Sequence, residues 1–330
     1  MKINFFNIKL ASLWAVLVAL SLSSTGCKTT KDIATEGGEM AGKAMSDKDN
    51  YELENALLWK IEGQGLTAPS YLFGTIHMID KENFFWPKGT LTALDDAEKV
   101  SFEIDLDDMF DMGAQMGLLT KAFMADGKTL KDLYSEEDYK VVKDHFDGMG
   151  IPMFFMEKLK PMFLTVFAGG DVEFGKGFGE DSSIKSYEME LYSIAQESQK
   201  DVSGLETIEY QMSVFDSIPY DVQANMLLET IKGSDTEDDT FKEMMVMYKN
   251  QEITRMVDFM NESEEGGIDG YEDVLLYTRN KNWIPIMEEK MKAHKTFFAV
   301  GAGHLGGKNG VIDLLKKAGY KLTPLSQSQG

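Results

Sequence analysis

The chain has 330 residues, enough for one large domain or two ordinary ones, and a 43% hydrophobic content that can fill a sizeable core. A formal net charge of −22 would repel phosphate backbones, which excludes DNA and RNA as expected partners. Cys27 is the only cysteine, so no disulfide forms within the chain.

The first residues, MKINFFNIK, carry Lys2 and Lys9. An apolar run from Leu10 to Leu22 follows, then the small-residue exit SSTGC. The run is shorter than the roughly 20 residues of a membrane span. Basic start, short apolar centre and small exit predict a secretory signal over residues 1–26. Cys27, directly after Gly26, resembles the lipid-modified cysteine of bacterial lipoproteins, with Ser24 in place of that motif's leucine-like residue. The expectation is a chain lipid-anchored to a membrane of the bacterial cell envelope; a plain cleaved signal is the alternative. Residues 27–50 are polar and small, without apolar period, and predict a flexible tether. Residues 51–330 are expected to form one domain.

Within it, Ala56–Gly63 (ALLWKIEG) and Tyr71–Ile79 (YLFGTIHMI) read as strands joined by QGLTAPS, a candidate hairpin. Leu91–Val100 has helical apolar spacing, and Val100–Leu106 (VSFEIDL) alternates as a strand. Helical segments follow: the methionine-rich Met109–Met124, then Ser135–Gly150 with Gly150 and Pro152 as a stop, then Tyr187–Ser198. Lys200–Thr207 reads as a short strand and turn. A long helical stretch is broken by acidic loops at Ser234–Asp239 and Asn261–Gly267, both expected to be solvated. Asp273–Ala293 is helical in character and interrupted by Pro285. Lys295–His304 (KTFFAVGAGH) reads as a buried strand, Gly310–Gly319 as a helix, and Tyr320–Leu325 as a last strand. Strands at both ends with helices between predict an α/β fold: a mixed central sheet split by helical insertions.

Two stretches share one shape. GTIH (Gly74 to His77) and GAGH (Gly301 to His304) each set a histidine three residues after a glycine, where an apolar strand gives way to a loop. They hold two of the four histidines, and Glu103 follows the first in the strand VSFEIDL. Strands of an α/β sheet present their carboxyl ends to a ligand crevice. Gly74 and Gly301 would let backbone or ligand approach closely, and Gly303 would permit unusual backbone angles beside His304. Two imidazoles and a carboxylate can hold a divalent ion with a position left for water. The same two histidines also read as hydrogen-bonded structural residues of a glycine-rich sheet. His145 and His294 read as surface helix residues, and Asp105, Asp107 and Asp108 as a solvated strand end. The 22 methionines suit core packing, with an adaptable peptide groove as the alternative.

These residues resemble the TraB/GumN family, which includes the TIKI proteases. Its marks are two GxxH motifs near the chain ends and an acidic residue in a strand after the first. Gly204–Pro219 (GLETIEYQMSVFDSIP) resembles its central GLET…Q segment, and RNKNW (Arg279 to Trp283) its Arg-Asn motif before the final strand. The resemblance implies a fold akin to the ChaN and erythromycin-esterase group and, for one branch, metal-dependent hydrolysis of a peptide or protein substrate. It makes His77, Glu103 and His304 the metal or catalytic set, with Glu103 as ligand or general base, and Arg279 an accessory catalytic residue. Imidazole and carboxylate donors suit zinc, manganese, cobalt or iron. Arg279 would bind a substrate carboxylate or an oxyanion, or form an ion pair. Asn280 would orient Arg279 or cap a helix. Glu206 would stand behind the ligands or serve a helix N-terminus. Two further functions fit the same pocket: a non-catalytic lipoprotein binding a peptide or signalling molecule, and an erythromycin-esterase-like hydrolase without metal.

Overall fold

The structure is a computed structural model that describes residues 53–108, 120–149, 153–168, 184–234, 239–262 and 271–325. The signal, Cys27, the tether, residues 109–119 of the methionine-rich segment, the Gly150/Pro152 stop and most of both acidic loops lie outside the described residues. Among the described residues no helix is long and apolar enough to cross a membrane.

Among the described residues six strands form the central sheet: β1 (Leu58–Glu62), β2 (Ser70–Thr75), β4 (Lys99–Ile104), β6 (Asp201–Glu206), β7 (Thr296–Gly301) and β8 (Lys321–Pro324). A two-stranded ladder joins β3 (Ile79–Asp80) to β5 (Ile184–Lys185). The sheet order is β6-β4-β7-β2-β1-β8. β6, β4, β7 and β2 run parallel, while β1 is antiparallel to both β2 and β8. The expected hairpin is the β1–β2 pair, in register from Leu58 opposite Phe73 to Ile61 opposite Ser70.

The central parallel strands β2 and β7 read as near-continuous apolar runs because both of their faces are buried. Leu72, Phe73, Phe297 and Phe298 are fully buried, each contributing about 1.5–3 kcal/mol by leaving water. Tyr187 and Tyr248 pack on this layer, with ring centroids 5.8 Å (Phe73–Tyr187) and 5.7 Å (Tyr187–Tyr248) apart. Methionines serve the core: Met212, Met244, Met247, Met256, Met287 and Met291 are all buried.

Strand order explains where a ligand would sit. From β4 the chain leaves for the outer strand β6; from β7 it leaves the other way, through the helix Val311–Lys317, to β8. Adjacent parallel strands whose connections depart in opposite directions leave a crevice at their carboxyl ends. β4 and β7 are such a pair, and Glu103 and His304 stand at that edge.

Three local expectations change. The first helix spans Thr90–Asp96 and yields to β4 at Lys99, so Ala97 and Glu98 link the two elements. Pro285 does not interrupt its helix, which runs from Thr278 to Ala293. The carbonyl that Pro285 leaves without a helical donor is that of the exposed Lys281, while Trp283 and Met287 on either side are fully buried. The irregularity falls instead at a π-turn, Asp273–Tyr277, directly before Arg279. Gly303, in the 3-10 turn Ala302–His304, lacks the positive φ its type would permit.

Candidate active site

The four parallel strands bring one side chain each to the same edge: Glu206 closes β6, Glu103 is next to last in β4, His304 follows β7, and His77 follows β2. Across the sheet the order is Glu206, Glu103, His304, His77.

Gly301 lies at the centre. Its backbone N–H donates to Glu103 Oε1 at 2.8 Å. A Cβ added there would lie 3.3 Å from Glu103 Oε1, 3.6 Å from His304 Cδ2 and 3.7 Å from His77 Nε2. Three groups from three strands thus converge on the space that a side chain would fill. Gly74 serves packing instead: a Cβ there would meet Leu305 Cδ2 at 3.0 Å and Ala302 Cα at 3.2 Å, so its absence lets β2 approach the turn that carries His304.

Each histidine is oriented through Nδ1. His304 Nδ1 lies 2.6 Å from Asn280 Oδ1, an acceptor, so Nδ1 carries the proton and Nε2 the lone pair. Asn280 Nδ2 in turn donates to the Asn309 carbonyl at 2.9 Å, which ties the turn to the helix Thr278–Ala293. Asn280 therefore orients His304 rather than Arg279. His77 Nδ1 lies 2.8 Å from Glu188 Oε1. The His77 side chain is 15% exposed against 6% for His304, so His77 is the more accessible of the two imidazoles.

Arg279 holds the interior. Nη2 donates to Glu103 Oε2 at 2.6 Å and to Glu206 Oε1 at 2.7 Å; Nε donates to Glu206 Oε1 at 2.9 Å. Nη1 donates to the Leu275 carbonyl at 3.0 Å and lies 3.2 Å from His304 Nε2. Leu275 lies within the π-turn that precedes Arg279. A guanidinium has five N–H groups, and these contacts occupy all of them, leaving none for a substrate carboxylate. Of the roles expected for Arg279, the ion pair is the one formed. Gln211 Nε2 bridges Glu103 Oε2 at 3.2 Å and Glu206 Oε1 at 3.3 Å, and Trp283 Nε1 donates to Glu206 Oε2 at 2.9 Å. The Trp283 ring packs against the His304 imidazole, tilted by 45° with centroids 4.5 Å apart.

Two carboxylates share one guanidinium, and their proton affinities part. Burial raises Glu103, but Arg279, His304, His77 and the Gly301 N–H outweigh it and hold it at about 2. Glu206 goes up: burial dominates and the Glu103 charge adds to it, against Arg279 and Trp283. Burial lowers His304 to about 3; Arg279 and His77 add to this against the pull of Glu103, so the ring is neutral at neutral pH. Burial would also lower His77, but the Glu188 charge and hydrogen bond raise it overall.

An ion of the kind the resemblance implies finds suitable donors here. Two imidazoles with Nδ1 held by outer partners, and a carboxylate ionised at any working pH, are the groups that bind divalent metals. The residues suit such an ion in donor type, and the missing Cβ of Gly301 leaves space beside them. An ion would compete with Arg279 for the His304 Nε2 lone pair. Among the described residues no three His, Cys, Asp or Glu side chains are already grouped to hold one.

His145 is half-buried on the helix Glu136–Gly148, and exposed His294 pairs with Glu98 at 3.1 Å; neither touches the crevice. Asp107 is taken by Tyr192 at 2.7 Å.

The chain is 22% identical to Metalloprotease TIKI2 of Danio rerio over 87% of its own length and 63% of the relative's. It is 23% identical to Metalloprotease TIKI1 of Xenopus tropicalis, over 83% of the chain and 63% of the relative. It is 22% identical to human Metalloprotease TIKI1, over 94% and 68%. The chain thus spans less than two thirds of the length of the first two relatives. No solved structure matches it, so kinship with the ChaN and erythromycin-esterase group remains what the family resemblance implies. The signature of the TraB/PrgY/gumN family matches residues 57–324, and the chain belongs to that family.

Proposed function

We propose that the chain is a metal-dependent peptide hydrolase of the bacterial cell envelope, with His77, Glu103 and His304 as its metal-holding and catalytic set. One observation carries this: Glu103 Oε1, His304 and His77 Nε2 converge around Gly301 at the crevice between β4 and β7. The name metalloprotease carried by the relatives supports the reaction class.

His77 Nε2 and His304 Nε2 would hold the ion with Glu103. An ion held so would polarise a scissile carbonyl and acidify an attacking water. Arg279, Gln211 and the Gly301 N–H stabilise Glu103 in its ionised form, the form in which it would bind an ion or accept a proton. Asn280 keeps the His304 lone pair on Nε2. Arg279 and Gln211 hold Glu103 in place, and Arg279 keeps Glu206 from repelling it. The substrate would enter from the side of His77, the more exposed imidazole.

A metal-free hydrolase is favoured by one specific contact, Arg279 Nη1 on His304 Nε2 at 3.2 Å. In that reading His77 is the base: Glu188 raises its pKa, and its Nε2 is free to take a proton from water.

The experiment is a peptide-library cleavage assay with zinc, manganese or cobalt and with exhaustive chelation. The proposal expects turnover that chelation removes and metal restores, absent in folded Glu103→Gln. Turnover surviving chelation supports the metal-free reading. No turnover under any condition rejects catalysis and leaves a peptide-binding or signal-binding lipoprotein. The anchor has its own test: Cys27→Ser should release the protein from the membrane fraction, and a soluble wild type would refute it.

A further inference from the structure

Glu188 lies outside every motif the sequence marks. It sits in the first turn of the helix Tyr187–Glu197, whose start is capped by Ser186. Its Oε1 accepts from Thr75 Oγ1 at 2.5 Å and contacts His77 Nδ1 at 2.8 Å; its Oε2 accepts from Ser186 Oγ at 2.9 Å. An ionised carboxylate only accepts, so each neighbour must donate to it. His77 must therefore carry a proton on Nδ1, and its lone pair falls on Nε2, the atom 3.7 Å from the Cβ position of Gly301.

The surroundings brace this pair from two sides. Thr75 closes β2 two residues before His77, so Glu188 grips the strand and the loop together. Beyond His77 the β3–β5 ladder pairs Ile79 with Lys185 and Asp80 with Ile184, which ties the far end of the loop to the segment leading into Glu188. His77 is held between these two attachments.

We propose that Glu188 is the positioning residue of the crevice: it fixes His77 in the Nδ1–H tautomer and aims Nε2 at the space beside Gly301 and Glu103. Such outer carboxylates typically change ion affinity or activity about 10–100-fold when removed. The inference deepens the hydrolase reading and rests on it only for the ion-binding and catalytic readouts; the tautomer stands alone.

The test uses the full chain, wild type beside Glu188→Gln and Glu188→Asp, each checked for unchanged melting. Gln keeps the size but can donate as well as accept. Asp keeps the charge at the helix start and withdraws the carboxylate by one methylene. Long-range nitrogen–proton spectra of the imidazoles are recorded at mildly alkaline pH, with His77 assigned by His77→Gln among only four histidines. Wild type should show His77 as the pure Nδ1–H form, and both variants should show a mixture with Nε2–H. Zinc or manganese binding by calorimetry should weaken about 10–100-fold in Glu188→Gln, and kcat should fall with KM held. A His77 that stays purely Nδ1–H in every folded variant, with metal affinity unchanged, overturns the proposal; should Gln fail to fold, Asp alone decides. If wild type binds no metal and cleaves no peptide, the hydrolase reading fails, and the tautomer comparison still decides the role of Glu188.

Discussion

Replacing Arg279 by methionine removes the one cation between two buried carboxylates. The three side chains are 8%, 6% and 5% exposed for Arg279, Glu103 and Glu206, so water cannot replace the lost partner. Breaking a buried ion pair by removing one member costs about 3–5 kcal/mol, because the remaining charge stays buried and unpaired. Linkage gives a figure of the same order. Glu103 is held at about 2 against 4.5 for a free glutamate, and that difference corresponds to about 3 kcal/mol of native stability. Glu103 is depressed, so this contribution is present above pH 4.5 and is lost as the pH falls toward 2. In Arg279→Met burial acts on Glu103 with its main opposing charge gone, so its pKa rises and the variant regains stability in acid. The assay is urea unfolding of both proteins across pH, with melting temperatures beside it. The variant should lose about 3–5 kcal/mol at pH 7, or roughly 6–20 °C for a domain of this size, and the gap should close below about pH 4. Adding Glu206→Gln should restore part of the loss, a coupling of about 1–3 kcal/mol. A variant within about 0.5 kcal/mol of wild type at pH 7, or a gap that does not depend on pH, would refute the idea that Arg279 carries the interior.

Glu103→Gln keeps an oxygen for the Gly301 N–H but turns an NH2 toward the Arg279 and Gln211 donors and removes the buried charge, so it should lose about 3 kcal/mol in urea unfolding, and the folded variant should lose hydrolysis and metal-induced stabilisation; calorimetry and peptide cleavage check both. Gly301→Ala places a methyl 3.3 Å from Glu103 Oε1 and should lower turnover at least about tenfold by misplacing the carboxylate, read as kcat in the cleavage assay. Asn280→Ala frees the His304 Nδ1 and leaves buried groups unpaired, which should cost about 1–3 kcal/mol in urea unfolding together with weaker metal binding. Metal affinity should fall as the pH drops through the raised pKa of His77, because proton and ion compete for Nε2; the titration midpoint should lie above the ordinary 6.5.

The parts of this site written into the sequence are those with a local signature. His77 and His304 stand out because a glycine and an apolar strand precede each, and Glu103 because its strand alternates. Strand order has no such signature: β7 inserts between β2 and β4 although more than two hundred residues separate it from β2 in the chain, and only that insertion makes the crevice. Glu188 gave no signal because SYEMEL reads as an ordinary acidic helix start, and its partner lies on a distant strand. Gln211 was inside a familiar segment, yet its bridging of Glu103 and Glu206 depends on β6 lying beside β4. Arg279 and Asn280 were visible as a pair, but adjacent residues on a helix point different ways. One reaches the carboxylates and the other reaches the His304 imidazole, so their roles came only with the packing.

The most direct measurement is peptide turnover by the purified chain beside folded His77→Ala, Glu103→Gln and His304→Ala, each with added metal. A single hydrolytic centre predicts measurable cleavage by wild type and loss of it in all three variants. Cleavage that persists in any one of them, or none by wild type across the library and the metals, would contradict it.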